Sequence, residues 1–401
     1  MAAHLLLLLL LLRPIRLSST TSFIGINYGQ VADNLPSPHD VLPLLRSLGA
    51  SRVRLYDANP IVLHTLSDAG LDLVVGVPDN CLPSFAGDPH SSLSWLRSNV
   101  LPYSTISLIT LGNEVLTSNS SSLLSSLLPA MANLHSSLAS LGLEHRIKIS
   151  TAHSLAVLSQ SFPPSASSFR RDLLPILTPL LSFLSKTKSP FLINAYPFFA
   201  FKADPKRLSL NYALFEPNDG VVDPGSGIHY NNMLHAQVDA VRSAIAKAGG
   251  DEGLEIRVSE TGWPSSGDPD EAGATPENAR RYNGNLMRMV AEGKGTPARP
   301  RDPLRVDVFA LFNENLKPGP ASERHYGLFK PDGTAAYPLS LAAVPAGNSS
   351  HDGDADSPSQ PAGEGLSLVG YAISSASVSD CARWAVLAGA LTAASLASVV
   401  F

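Results

Sequence analysis

Two glutamates in this 401-residue chain stand at the ends of apolar runs, Glu114 in "ITLGNEV" and Glu260 in "IRVSETGWPSSG". Each has unusual neighbours. Asn113 precedes the first, and Thr261, Gly262, Trp263 and Pro264 follow the second, a combination that neither a strand nor a helix interior favours. A lone glutamate at a strand end is ordinarily a solvated residue or a helix cap. Two of them facing one cleft beside amides and aromatics suit the breaking of a glycosidic bond. One carboxyl protonates the departing oxygen while the other attacks the anomeric carbon or activates water. Other chemistries lack their signatures. The histidines show no His-Glu-x-x-His spacing, no Gly-x-Ser-x-Gly elbow is present, and no phosphate-binding loop occurs. No metal site is expected.

Such a pair needs a scaffold that brings distant segments to one mouth. Eight short apolar stretches are strand candidates: 23–28, 52–56, 71–77, 106–112, 146–151, 191–196, 254–260 and 306–312. Several are almost continuously apolar, as parallel strands covered on both faces are. Stretches with helical spacing lie between them, including 40–48, 121–141 and 231–248. The alternation predicts an α/β fold, a single (β/α)8 barrel, whose active site forms at the carboxyl ends of the strands. A doubly wound open sheet would show a Gly-rich turn after an early strand, and Gly25 with Gly29 lacks that spacing. At the strand tips stand Tyr56 and Asp57, Asn113 and Glu114, Tyr196, Glu260, and Asn313 to Asn315.

The two ends of the chain differ from the middle. Eight leucines, Leu5 to Leu12, followed by small residues, predict a secretory signal over 1–22, although Arg13 and Arg16 lie after the apolar run. The folded domain is expected over 23–342, and a Gly/Ser/Pro/Asp-rich linker over 343–375. Residues 376–401 end in an uncharged apolar tail, 384–401, preceded by a short polar stretch with Asp380 and Arg383 and followed by no basic residue. This predicts a removable glycosylphosphatidylinositol (GPI) signal rather than a spanning helix, and an extracellular, membrane-anchored protein. Cys381 would leave with that tail, so Cys81, the other cysteine, is expected to be unpaired. Sequons at Asn119 and Asn348 suit glycosylation on a secreted surface. A net charge of −5, with the basic cluster 299–305 broken by prolines, argues against nucleic acid as a partner. A monomer is expected.

Six segments, "GINYG", "RLYDANP", "GNEV", "YPFFAF", "VSETGWPSSG" and "FNENLKPGPASERHYGLF", resemble in order those of plant endo-β-1,3-glucanases, glycoside hydrolase family 17. The resemblance spans about 23–340. It implies a retaining hydrolase of β-1,3-glucan that uses no cofactor, with Glu114 as acid/base, Glu260 as nucleophile, and Glu314, Lys317 and Glu323 as a charged cluster beside them. Mixed β-1,3;1,4-glucan as substrate, or a silent glucan-binding surface protein, are the other readings. Under this reading Asn113 would bond the 2-hydroxyl of the sugar being cleaved. Tyr56 and Tyr196 would hold the nucleophile or simply pack. Trp263 would face a sugar, shield the nucleophile from water, or pack in the core. Phe199, with Phe198 and Phe201, would form a sugar platform or pack a loop. Lys317 would be a structural ion pair or would help keep a carboxylate charged.

Overall fold

A computed structural model describes residues 24–339. Eight parallel strands close into a barrel: β1 (Ile24–Tyr28), β2 (Arg52–Leu55), β3 (Asp72–Val77), β4 (Ile106–Asn113), β5 (Lys148–Ser154), β6 (Phe191–Asn194), β7 (Ile256–Thr261) and β8 (Val306–Val308). Each pairs with its sequence neighbour, and β8 returns to β1. The expected (β/α)8 architecture is therefore the observed one. Strand β5 lies two to three residues later than its apolar pattern suggests. The regular part of β8 is shorter than 306–312, because the chain beyond Val308 divides its bonds among three partners. Phe309 N–H donates to Thr261 O on β7, Leu311 N–H to Asn27 O on β1, and Ala310 N–H to Tyr326 O in the returning loop.

The helices start where side chains can cap them. Asn59, Asp88 and Thr275 each precede a proline, and each side-chain oxygen accepts from an early backbone N–H. Proline at the first helical position costs nothing, since its missing N–H would be unpaired there. These caps open α2 (Pro60–Asp68), α3 (Pro89–Asn99) and α7 (Pro276–Ala291), after α1 (Pro38–Ser47). Ser120 and Asn232 cap α4 (Ser121–Ser140) and α6 (Met233–Lys247), with α5 (Leu174–Thr187) between them. Among the described residues no α-helix follows β8, and no helix is long and apolar enough to cross a membrane.

The barrel interior is half apolar and half ionic. Registered partners in parallel strands point to the same face, and one register row runs Asn27, Arg54, Val74, Leu108. Val74 and Leu108 join Ala152 and Leu192 in a small apolar cluster separate from the main core. Across the barrel, Arg52 pairs with Asp307 at 2.6 Å, and Arg54 with Glu260 at 2.7 Å. Asn27, completely buried, donates to Ser259 O and Asp307 O. A buried cation costs several kcal/mol unless it is paired and hydrogen-bonded. Arg52 and Arg54 meet that condition.

Cys81 is disulfide-bonded in the structure. The unpaired thiol is the expectation for a chain that has lost the segment carrying Cys381, and Cys381 lies outside the described residues. The expected signal, linker, anchor signal and Asn348 also lie outside them. Asn119 is exposed.

Candidate active site

At the carboxyl end of the barrel the two glutamates occupy chain segments with irregular register. On β7 the pairing with β6 runs Val258 to Ile193 and then Glu260 to Asn194, so one extra residue is accommodated. Simple alternation would send Ser259 and Glu260 to opposite faces. With the bulge, Ser259 reaches Asn194 and Glu260 reaches Arg54, both within the mouth. Bulges re-aim side chains in this way beside active sites. On β4 the pairing with β5 shifts between Thr110 and Asn113. Glu114 then adopts a left-handed backbone, φ 58° and ψ 26°, and its N–H donates to Ala152 O. That conformation is strained for a non-glycine residue and persists only where the surroundings enforce it. Gly112 also has positive φ, and a Cβ there would lie 2.5 Å from Val115 Cγ2 and 2.8 Å from Asp79 Oδ1.

Glu260 is buried and held by three donors. Arg54 Nη1 and Tyr56 Oη donate to Oε1 at 2.7 and 2.8 Å, and Tyr196 Oη donates to Oε2 at 2.9 Å. Burial, and then the charge of Glu260, push both tyrosines well above the ordinary phenol value. They therefore remain protonated donors. Arg54 reaches further: its Nη2 donates to Asn113 Oδ1 at 3.0 Å. Asn194 Nδ2 donates to Glu114 Oε1 at 2.8 Å and to Asn113 Oδ1 at 3.3 Å. One hydrogen-bonded network thus joins β2, β4, β6 and β7 and contains both carboxyl groups. Among the described residues no cluster suited to a metal ion occurs.

The structure places the other expected residues as follows. Tyr56 and Tyr196 are carboxylate donors, not merely packing. Trp263 has no exposed surface, which overturns its reading as a sugar-facing ring. It stacks among Phe198, Phe201 and Tyr282, and its Nε1 donates to Gly273 O at 2.8 Å. The tight turn explains this burial. A Cβ at Gly262 would sit 2.0 Å from Phe309 O, so only glycine lets β7 pass so close and turn the tryptophan inward. Phe198 and Phe201 are likewise buried, while Phe199 stays half-buried against Tyr196.

Glu314, Lys317 and Glu323 are all buried on the β8 side of the mouth. Glu314 accepts from Val31 N–H at 2.7 Å, and Lys317 Nζ lies 3.8 Å from its other oxygen and 4.4 Å from the centre of the Phe309 ring. Gly29, Gln30, Val31, Tyr56, Asp57, Glu314 and Lys317 line a recess beside the carboxylates. Burial pushes the Glu323 carboxyl up to about 7, against the opposing charge of Lys317 and with help from Glu260 and Glu271.

Three participants were not singled out from the sequence: Arg54, Asn194 and Glu271. Arg54 had a signal, a charge inside a strand expected to be covered on both faces. So did Asn194, the polar end of "FLIN". Glu271 had none. It accepts from Lys202, Ser322 Oγ, Ser322 N–H and Asp268 N–H, tying together the loops after β6, β7 and β8.

Glu323 and Glu271 give opposite pH signatures. Glu323 binds its proton more tightly folded than unfolded, so stability should fall as pH rises from about 4.5 to about 7 and level off above. The loss should be at most about 3 kcal/mol, and Glu323→Gln should remove it. Burial of Glu271 is outweighed by its four donors, and its carboxyl is lowered to about 2. Its contribution should hold above about 4.5 and be lost as pH falls toward 2. Urea unfolding of the wild type, Glu323→Gln and Glu271→Gln at several pH values checks both slopes.

Comparison with known proteins agrees with the fold. The family model described as glycosyl hydrolases family 17 matches residues 24–341. "Glucan endo-1,3-beta-glucosidase 11" of Arabidopsis thaliana is 56% identical over 342 residues, 84% of this chain and 80% of that protein. "Glucan endo-1,3-beta-glucosidase 10" of the same plant is 55% identical, over 80% of this chain and 76% of that protein. Among solved structures, a beta-1,3-glucanase and allergen of Cryptomeria japonica pollen superposes with a TM-score of 0.76 at 38% identity, covering 80% of this chain and 99% of that one. The barrel and the family match over the described domain agree. This chain belongs to glycosyl hydrolase family 17.

Proposed function

We propose that the protein is a retaining endo-hydrolase of β-1,3-glucan, with Glu260 as nucleophile and Glu114 as acid/base. The observation that carries this reading is the shared network at the barrel mouth. Glu260 is gripped by one cation and two phenols, and Glu114 enters the same network through Asn194. In the first step a Glu260 oxygen attacks the anomeric carbon and the glycosidic C–O bond breaks. The Glu114 proton passes to the leaving oxygen. In the second, Glu114 takes a proton from water, the resulting hydroxide attacks the same carbon, and the ester bond to Glu260 breaks. Two inversions restore the β configuration. Asn113 has its Oδ1 turned toward Arg54 and Asn194, so its Nδ2 is the end available to a sugar 2-hydroxyl. Phe199, the least buried ring of its run, is the candidate platform.

The names of the curated relatives support β-1,3-linkages. A further solved relative, 36% identical with a TM-score of 0.73, covering 79% of this chain and 100% of that one, belongs to a pair described as plant beta-glucan endohydrolases with distinct substrate specificities. Linkage preference therefore has to be measured. The purified ectodomain should release short oligosaccharides from linear β-1,3-glucan and little from mixed-linkage glucan or cellulose. A preference for mixed-linkage glucan would reassign the substrate, and binding without new reducing ends would make the protein a glucan-binding one.

The composition of the two chain ends supports secretion and a GPI anchor at the cell surface. Phosphatidylinositol-specific phospholipase C should then move the protein from the membrane to the soluble fraction. Retention after active lipase, with residues 384–401 still detected by mass spectrometry, would mean a spanning segment instead.

A further inference from the structure

An acid/base carboxyl has to be held in one orientation by the groups around it. Asn194 Nδ2 donates to Glu114 Oε1 at 2.8 Å, so Oε1 acts as an acceptor. Asn194 therefore holds the Glu114 carboxyl by its Oε1. Asn194 is itself locked. Ser259 Oγ donates to Asn194 Oδ1 at 2.8 Å, and Asn194 Nδ2 meets a second acceptor, Asn113 Oδ1, at 3.3 Å. A flipped amide would set its carbonyl against two acceptors. Both Asn194 and Ser259 are buried, at 2% and 0% exposure. Ser259 is also the extra residue of the β7 bulge and immediately precedes Glu260. The backbone feature that presents Glu260 thus also supplies the lock on the group that holds Glu114.

We propose that Asn194, locked by Ser259, is a positioning residue that aims the Glu114 carboxyl for proton delivery to the glycosidic oxygen. The proposal rests on the acid/base reading of Glu114. The titratable groups at the mouth ends of the elements packed around it are Asp79 beyond β3, which accepts from Asn113 N–H at 3.0 Å, Arg54 on β2 with Tyr56 beyond it, His153 on β5, Tyr196 beyond β6 and Glu260 on β7. Burial lowers His153 to about 3, so it stays neutral throughout the working range. A donor to a carboxylate favours its charged form. Loss of the Asn194 donor therefore raises the proton affinity of Glu114 as well as loosening its aim.

The test is the pH dependence of kcat/KM for the full ectodomain, measured on linear β-1,3-glucan and on a dinitrophenyl β-oligoglucoside whose leaving group needs no acid. In Asn194→Ala the alkaline limb on glucan should move up by about one pH unit. Activity on glucan should drop on the order of 10²-fold. On the activated substrate kcat/KM, which reports the first chemical step, should fall by only about threefold. Ser259→Ala should shift the limb in the same direction, with about a fivefold loss on glucan. Equal losses on both substrates with an unmoved limb would overturn the proposal and leave Asn194 a packing residue. If Asn194→Ala does not fold, an unmoved limb in Ser259→Ala overturns it equally. A wild-type protein that cleaves neither substrate would instead refute the hydrolase reading, and the proposal with it.

Discussion

Glu260→Ala should abolish turnover of β-1,3-glucan, with a loss on the order of 10⁴-fold or more, and an activated aryl substrate should not restore it. The nucleophile is absent in that variant, so leaving-group quality is of little use. Added azide should occupy the vacated space and give an α-glycosyl azide by a single displacement. Glu114→Ala should fail differently. Glu260 remains, held by Arg54, Tyr56 and Tyr196. An activated substrate then needs no proton and should keep most of its first-step rate, and azide should attack the glycosyl-enzyme to give the β-azide. Product anomers read by NMR decide between these outcomes. The reverse assignment would exchange the two roles. The wild-type enzyme should release the β anomer first, with carboxyl groups about 5 to 5.5 Å apart; an α anomer would signify a water-mediated inverting site.

The second large effect belongs to Arg54. Its guanidinium spans two acceptors on different strands, Glu260 Oε1 on β7 and Asn113 Oδ1 on β4, and its Nη1 also donates to Ser259 O. Arg54 is 1% exposed. Removing one partner of a buried pair leaves the other charge uncompensated, at about 3–5 kcal/mol. Arg54→Met should therefore lower stability by roughly that amount and also remove activity. Arg54→Lys separates the two effects. An ammonium keeps the charge but lacks the planar fork that reaches both acceptors. It should recover part of the stability while kcat on glucan stays on the order of 10²-fold below wild type. Thermal unfolding and kinetics on the same preparations check this. A lysine variant with wild-type kcat would show that the charge alone suffices and that the link to Asn113 is unimportant.

The two predictions turn on different kinds of information. Glu260 and Glu114 could be picked out from the chain alone, because each ends an apolar run expected to point toward one mouth. Strand and helix periodicity is local, as is the capping chemistry of Asn59-Pro60, Asp88-Pro89 and Thr275-Pro276. Eight strands and their order follow from it, with boundary errors where bonding leaves the regular ladder, as beyond Val308. Arg54 and Asn194 were visible only as polar residues in apolar strands. Their partners are 206 and 80 positions away in sequence, and pairing at that range exists only once the barrel has closed.

Facing direction is the clearest case of tertiary control. Period-two alternation would place Ser259 and Glu260 on opposite faces, and one of them out of the mouth. The extra residue in β7 brings both to the same network. A left-handed Glu114 does the corresponding work after β4. Register is set by hydrogen bonds to neighbouring strands, so no window of one strand contains it. Trp263 shows the same limit: its sequence suits a sugar-binding ring equally well, and it is buried because Gly262 packs against Phe309 O, a contact between β7 and the chain beyond β8. The residue types and their strand-end positions were determined by the sequence itself. Which of those side chains meet, and from which side, was decided by closure of the barrel, since parallel neighbours come from segments tens to hundreds of residues apart.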